Sequence, residues 1–281
     1  MDGDRILSEE RIENGVRACP PEIVHCAQAQ NLIFDTHAHY DDAAFDSDRD
    51  ELLSSLPERG VCGVVNCGTD VKTSAVSLAL AEKYPFVYAA CGIHPEECEK
   101  IQPGDFAALT SLLQRERAVA VGEIGLDHHW DIPNELQREI FERQLKMAVQ
   151  LDLPVIVHDR EAHGETLELL KKYRPKGVLH SFSGSVEMAK DVLSIGMYLG
   201  FGGAVTFKKA KKVLEVLEVV PFDRLLLETD CPYMAPEPYR GRRNDSTFIK
   251  YAVERIAEVK GVDPGYVISE SRQAAKTLFG V

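Results

Sequence analysis

The sequence predicts a (β/α)8 barrel. Three observations carry that expectation. From Leu32 onward eight short apolar runs recur, each is followed by a loop and an amphipathic segment, and the alternation fills the rest of the chain. About 230 residues for eight such units is the span this architecture uses, and an open doubly wound sheet is the competing arrangement.

The apolar runs are 32–36 (LIFDT), 61–67 (VCGVVNC), 86–93 (FVYAACGI), 118–124 (AVAVGEI), 154–158 (PVIVH), 177–182 (GVLHSF), 197–201 (MYLGF) and 224–229 (RLLLET). Most lack strict alternation, which suits parallel strands buried on both faces. The segments between them predict helices over 48–59, 70–84, 104–116, 134–152, 161–173, 185–195, 208–219 and 244–260. The clearest is 134–152, where Leu136, Ile140, Phe141, Leu145, Ala148 and Leu151 keep a helical spacing, Asn134 is the expected N-cap and Pro133 blocks extension upstream. A ninth helix over 263–278, opened by Asp263-Pro264, closes the chain. Residues 1–31 fall outside the repeat and read as an acidic extension without a domain of its own; 32–281 is the barrel domain.

Composition narrows the function. Among 281 residues, 44% are hydrophobic and 27% charged, an ordinary globular balance that excludes disordered, collagen-like and disulfide-scaffold classes. A net charge of −13 excludes a basic nucleic-acid coat, so any polyanionic partner must meet a local cationic feature. No apolar run approaches the ~18 residues of a membrane span. The seven cysteines form no CxxC pair, and 1–31 has no apolar signal core. Reduced thiols and a cytoplasmic location are therefore expected, with no membrane partner. Nothing in the sequence fixes the oligomeric state, and a monomer is the default. The absence of GxGxxG after the first strand, and of GxxxxGK[ST] anywhere, argues against dinucleotide and P-loop readings.

The unusual residues sit at the strand ends. The first run leads into Asp35-Thr36-His37-Ala38-His39, and residues two apart on a strand share a face, so both imidazoles can aim at one ion. Glu123, His158, His180 and Asp230 follow at the ends of runs four, five, six and eight. All strand C-termini of a (β/α)8 barrel converge on one mouth, which would make neighbours of residues 35, 22 and 50 positions apart. Four histidines and two carboxylates suit Zn²⁺, Mn²⁺ or Mg²⁺. Six ligands exceed what one tetrahedral ion uses, and two divalent ions bridged by a carboxylate fit better. The alternative, a set of buried hydrogen-bonded polar residues, must find cationic partners for two buried carboxylates. Spacing says only that the six meet, not which ion each would hold.

These residues resemble the TatD family of metal-dependent hydrolases, which has a TIM-barrel fold and deoxyribonuclease activity. The resemblance covers roughly 32–281 and rests on DTHAHYD (35–41), GIHP (92–95), VGEIGLD (121–127), VIVHDREA (155–162), HSFSG (180–184), LETDCPYMAP (227–236) and RGRRN (240–244). It implies one ion on His37, His39, Glu123 and Asp230, and a second on Glu123, His158 and His180, with Glu123 as the bridge. The chain departs from the family where RGxRNEP continues as Arg243-Asn244-Asp245-Ser246, where Ala274 stands in place of a frequent Asn, and where GLDHHW (125–130) replaces a GLDYY-like segment. None of these touches an implied ligand; they bear on substrate preference.

Around this set, His94 in GIHP is a candidate donor to a substrate phosphate, its plainer role being to cap a loop. Arg160 is a candidate phosphate clamp. Ser183 and Gly184, at a helix start, offer an anion site. Trp130, the single tryptophan, could stack on a base or merely pack its loop. Lys208, Lys209, Lys211 and Lys212, with Arg240, Arg242 and Arg243, are the local cationic clusters, and Asn244 either holds that loop or caps the next helix. The reading that follows is a metal-dependent phosphodiesterase acting on DNA ends, with Asp230 accepting a proton from the attacking water, His94 and Glu123 beside it, and Arg160, Ser183 and Arg243 as substrate contacts. Amidohydrolase or esterase chemistry on the same barrel, such as deacylation of D-aminoacyl-tRNA, is the second reading, though many such enzymes place a modified lysine where Glu123 stands. A metal-binding scaffold without turnover is the third.

Overall fold

The computed structural model describes residues 32–281; the extension read over 1–31 lies outside them. Eight strands, β1 (Ile33–Ala38), β2 (Val61–Cys67), β3 (Val87–Cys91), β4 (Ala118–Asp127), β5 (Val155–Arg160), β6 (Gly177–Leu179), β7 (Tyr198–Phe201) and β8 (Leu225–Leu227), lie in one sheet in chain order. Every neighbouring pair is parallel. The sheet curls until β1 meets β8. Ala38 pairs with Cys231 just past β8, and the Thr36 hydroxyl donates to Leu227 O at 3.1 Å. The expected barrel is the observed one.

Nine α-helices alternate with the strands among the described residues: α1 (Arg49–Ser55), α2 (Val71–Lys83), α3 (Asp105–Leu113), α4 (Asn134–Leu151), α5 (His163–Tyr173), α6 (Val186–Ser194), α7 (Lys211–Val219), α8 (Ile249–Lys260) and α9 (Pro264–Phe279). Two boundaries differ from expectation for a reason that matters at the site. β6 and β8 are three residues each, because the chain leaves the ladder where His180 and Asp230 begin to build the mouth; Ser181 (φ 44°) and Asp230 (φ 59°) take left-handed backbone there. The helix expected from 244 starts at Ile249, after a 3-10 turn over Ser246–Phe248, since the Asn244 amide is engaged in holding the preceding loop. Asn134 is the first residue of α4 rather than its N-cap; Pro133 takes the cap position, and its carbonyl accepts from Leu136 and Gln137.

Helix α4 buries Ile140, Phe141, Leu145 and Ala148 at helical spacing, and on the same face two glutamines. Each clips one residue at or just past a strand end by both backbone groups. Gln137 accepts from Asp127 N (2.8 Å) and donates to Asp127 O (2.9 Å); Gln144 accepts from Ile93 N (2.7 Å) and donates to Ile93 O (2.9 Å). One helix thus fixes the ends of β3 and β4, next to His94 and Asp127.

The main core lies where strands and surrounding helices share apolar faces. A second cluster joins Phe34, Val65, Ala120, Ile156, Val178 and Leu226 to Ala275, Leu278 and Phe279 of α9. The Phe34 and Phe279 rings stack at 6.5 Å. Because Phe34, Ala120 and Ile156 precede the candidate site residues on their strands, α9 seals the barrel at the end away from that set. Gly125 lets β4 pass close to β5: a Cβ there would fall 1.9 Å from the His158 carbonyl oxygen.

Candidate metal centre

His37 lies in β1 and His39 just past it, Glu123 in β4, His158 in β5, His180 immediately after β6, and Asp230 three residues past β8. Their side chains meet at the mouth. His37 Nε2 and His39 Nε2 are 3.0 Å apart. Glu123 Oε2 stands 3.3 Å from the first and 3.4 Å from the second, and Asp230 Oδ1 stands 3.7 and 3.5 Å from them. The other Glu123 oxygen, Oε1, faces away, to His180 Nε2 (2.9 Å) and His158 Nδ1 (3.0 Å). These two nitrogens are 3.4 Å apart.

The donor set fits divalent ions on two grounds. Tetrahedral bonds of ~2.0–2.1 Å put ligand atoms about 3.3 Å from one another, and the His37, His39, Glu123 and Asp230 atoms scatter about that value. Second, two of the imidazoles are held by the other nitrogen. His39 Nδ1 donates to the Cys67 carbonyl (2.8 Å) and His158 Nε2 donates to Asp127 Oδ2 (2.9 Å), which turns the lone pair of the remaining nitrogen inward. His180 Nδ1 points at Glu228 Oε1 from 3.7 Å, and Glu228 is in turn held by Ser181 N at 2.5 Å. His37 stacks on His180 with ring centres 3.9 Å apart.

His94 is built the opposite way. Its Nδ1 accepts from the Glu96 backbone N–H (3.2 Å), so the proton of the neutral ring sits on Nε2, which lies 3.6 Å from Glu123 Oε1. It therefore presents an N–H rather than a lone pair to the cavity.

Electrostatics follow from burial and crowding. Burial drives the His94 imidazole down to about 3. Burial also lowers His37, aided by the charge of His180. For His158 burial again pulls downward, but hydrogen bonds to Asp127 and Glu123 prevail and lift it to about 9. His39 and His180 rise well above their ordinary value on the same balance. Glu123 is held well below the usual range: burial opposes ionisation, and His37, His180 and His94 outweigh it. The carboxylates thus favour positive charge on His39, His158 and His180, as expected of a cradle shaped for a cation.

The centre opens into a cavity of about 600 Å³. Arg160 is on its wall, with His94. Ser183 is exposed and off the wall, and the start of α6 is capped by Ser185, whose Oγ accepts from Met188 N (3.2 Å). Arg243 also lies off the wall. Asp48 takes its guanidinium in two hydrogen bonds of 2.7 and 2.6 Å, and Ala44 O accepts a third at 2.9 Å. Its closeness to Asp230 in sequence is not closeness to the cavity, since an acidic loop reaches it first. Lys208, Lys209, Lys211 and Lys212 are exposed and likewise off the wall. Asn244 donates to Thr229 O (3.0 Å) and Tyr233 O (2.8 Å), which holds the loop after β8.

Sequence reasoning overlooked Glu228, Gln137 and Gln144, and left Asp35 without a role. Asp35 is buried and accepts from Thr229 N (3.0 Å), Thr229 Oγ1 (2.6 Å) and Ser246 Oγ (2.7 Å), tying β1 to the loop that carries Asp230. Glu228 could have been read from its position two residues before Asp230; the glutamines carry a signal only as amides on an apolar helical stripe.

The model of TatD related DNase matches residues 34–280. The chain is 39% identical over 254 residues to the uncharacterized metal-dependent hydrolase YabD of Bacillus subtilis, covering 89% of this chain and 100% of that protein. It is 32% identical over 259 residues to the 3'-5' ssDNA/RNA exonuclease TatD of Salmonella typhimurium, covering 89% and 99%. The crystal structure of YjjV, a TatD homologue from Escherichia coli K12, superposes with a TM-score of 0.84 at 34% identity, over 90% of this chain and 99% of that one.

Proposed function

The chain belongs to the family of TatD related DNases, and from that premise we propose that it hydrolyses phosphodiester bonds, releasing nucleotides from the ends of DNA with two divalent ions. The observation that carries this reading is the division of Glu123, whose Oε2 serves His37 and His39 while Oε1 serves His158 and His180. His37, His39, Glu123 and Asp230 would hold one ion, and Glu123, His158 and His180 the other; Mg²⁺, Mn²⁺ and Zn²⁺ all suit these donors. Bound there, the ions supply an acidified water and neutralise phosphate charge.

The chain's own residues do the rest. Asp230, with 21% of its side chain exposed against 5% for Glu123, is the ligand carboxylate water can reach, and it accepts the proton of the attacking water. His94 donates Nε2–H to a phosphate oxygen, and Arg160 faces the phosphate from the wall. Asp127 keeps His158 turned inward, and Glu228 faces the outer nitrogen of His180 from 3.7 Å. The exonuclease name of the Salmonella relative supports a nucleic-acid substrate. A cytoplasmic location is proposed on the free thiols of Cys62, Cys67, Cys91, Cys98 and Cys231.

The test is a panel of divalent metals with end-labelled single- and double-stranded DNA, run beside a D-aminoacyl ester. Metal-dependent release of labelled nucleotides without ester cleavage is expected. Ester cleavage without nucleotide release would overturn the nuclease reading in favour of deacylase chemistry on the same centre.

A further inference from the structure

The cavity wall is a poor surface for a phosphate chain. It carries seven Asp and Glu side chains and a single Arg or Lys, Arg160. Two divalent ions would offset four of the seven negative charges, leaving a mouth that still repels a polyanion beyond the phosphate being cleaved. A strand held there needs a grip on something other than its backbone.

The rim offers one. Among the described residues, the large apolar side chains left exposed are Val76, Trp130, Val149, Val219, Tyr233 and Tyr266. Four of these belong to helices. Trp130 (47% exposed) and Tyr233 (55%) instead stand on the loops after β4 and β8, at the strand end that carries the ligands. In an eight-stranded barrel β1 and β8 lie across from β4 and β5, so the loops that carry the two rings leave the mouth on opposite sides.

Each ring has defined neighbours. Tyr233 stands 6.4 Å from the His39 ring, its hydroxyl donates to Asp42 Oδ2 (2.7 Å), and its carbonyl is held by Asn244. Trp130 meets the edge of His129 at 5.3 Å, with the Arg160 guanidinium 6.0 Å from its ring centre. An aromatic side chain has only two torsions to lose when a base stacks on it, and every base has a face to offer.

We propose that Trp130 and Tyr233 are stacking platforms for nucleobases on either side of the scissile phosphate, so that unpaired bases, and not backbone charge, hold the strand at this acidic mouth. The proposal rests on the phosphodiesterase reading and names the residues that would select an unpaired strand end: bases paired in a duplex cannot open onto two rings. Stacking of one base on one ring corresponds to about a tenfold change in affinity or more.

Trp130 is the only tryptophan in the sequence, so intrinsic fluorescence reports on this one ring. The metal-loaded full-length protein is titrated with a short oligothymidylate and with an abasic oligomer of the same length. The expected result is quenching by the first and not by the second. In kinetics, Trp130→Ala and Tyr233→Leu should each raise KM for oligothymidylate about tenfold with kcat changed less than twofold. Trp130→Phe and Tyr233→Phe should restore it. The difference in KM between thymidylate and abasic oligomers should collapse in the Trp130→Ala protein. Equal quenching by both oligomers, or an unchanged KM in both non-aromatic variants, would overturn the proposal while leaving phosphodiester hydrolysis standing. If the wild type cleaves neither oligomer, the phosphodiesterase reading fails, and the quenching contrast alone decides whether the rings bind bases.

Discussion

Asp230 combines two properties that a proton acceptor needs. It is the more open of the two candidate ligand carboxylates, and its left-handed backbone is held by hydrogen bonds from Asp230 N to His37 O (2.9 Å) and from Tyr233 N to Asp230 O (2.9 Å). Asp230→Asn is nearly isosteric and leaves those backbone bonds in place. Turnover should fall ~10²–10⁴-fold with metal content and KM little changed, because an amide keeps an oxygen donor but cannot take the proton. Wild-type turnover in a fully metallated variant would remove Asp230 from that role. Glu123→Ala should act differently. It deletes the oxygens that serve both nitrogen pairs, so reconstitution with excess Mn²⁺ or Zn²⁺ should drop from about two ions per chain to fewer than one. Elemental analysis decides it, and retention of full occupancy would show that Glu123 is not the bridge.

At the scale of elements, helix α4 sets the geometry of two loops through Gln137 and Gln144. Gln144→Leu would strand the buried N–H and C=O of Ile93, at about 1–3 kcal/mol for each unpaired group. For a chain of this size that corresponds to a fall in Tm of roughly 10 °C. Turnover should fall with it, since Ile93 adjoins His94. A thermal melt at the wild-type temperature would mean that the loop stands without its clip. These amides were hardly legible in the sequence, for a polar residue on an apolar stripe reads as an interruption until its partner is known. The strands and helices were legible because their apolar periods are long and punctuated by loops. The convergence of the six candidate ligands was legible because a barrel gathers strand ends whatever their separation in sequence. Arg243 and Ser183 misled for a complementary reason. Both are near ligands along the chain, but short-range order does not say which way a loop side chain turns, and Asp48 captures the first while solvent surrounds the second.

The whole molecule adds a pH dependence that has nothing to do with its chemistry. Cys91 and Cys98 are buried, and burial pushes both thiols up to about 12, with the charges of Glu97 and Glu99 adding to the shift at Cys98. In the unfolded chain they ionise near 9. Their contribution to stability is thus complete below pH 9 and is lost as pH rises from there towards 12. At pH 10.5 each should have surrendered about 2 kcal/mol. Urea unfolding at pH 8 and pH 10.5 should show this loss, and the Cys91→Ala/Cys98→Ala protein should lose correspondingly less between the same two pH values. An equal loss in that double variant would place the alkaline sensitivity elsewhere.

The seal made by α9 has a consequence for the order of events. With Leu278 and Phe279 packed against Phe34 and its neighbours, the far end of the barrel offers no exit from the centre. Under the proposed exonuclease reading, strand, water and released nucleotide share one doorway, and each departure has to precede the next arrival. A freed mononucleotide becomes an obstacle to the strand it came from. It should compete with that strand for the enzyme, and the pace of a long digestion should be set by clearance of the threshold as much as by bond breaking.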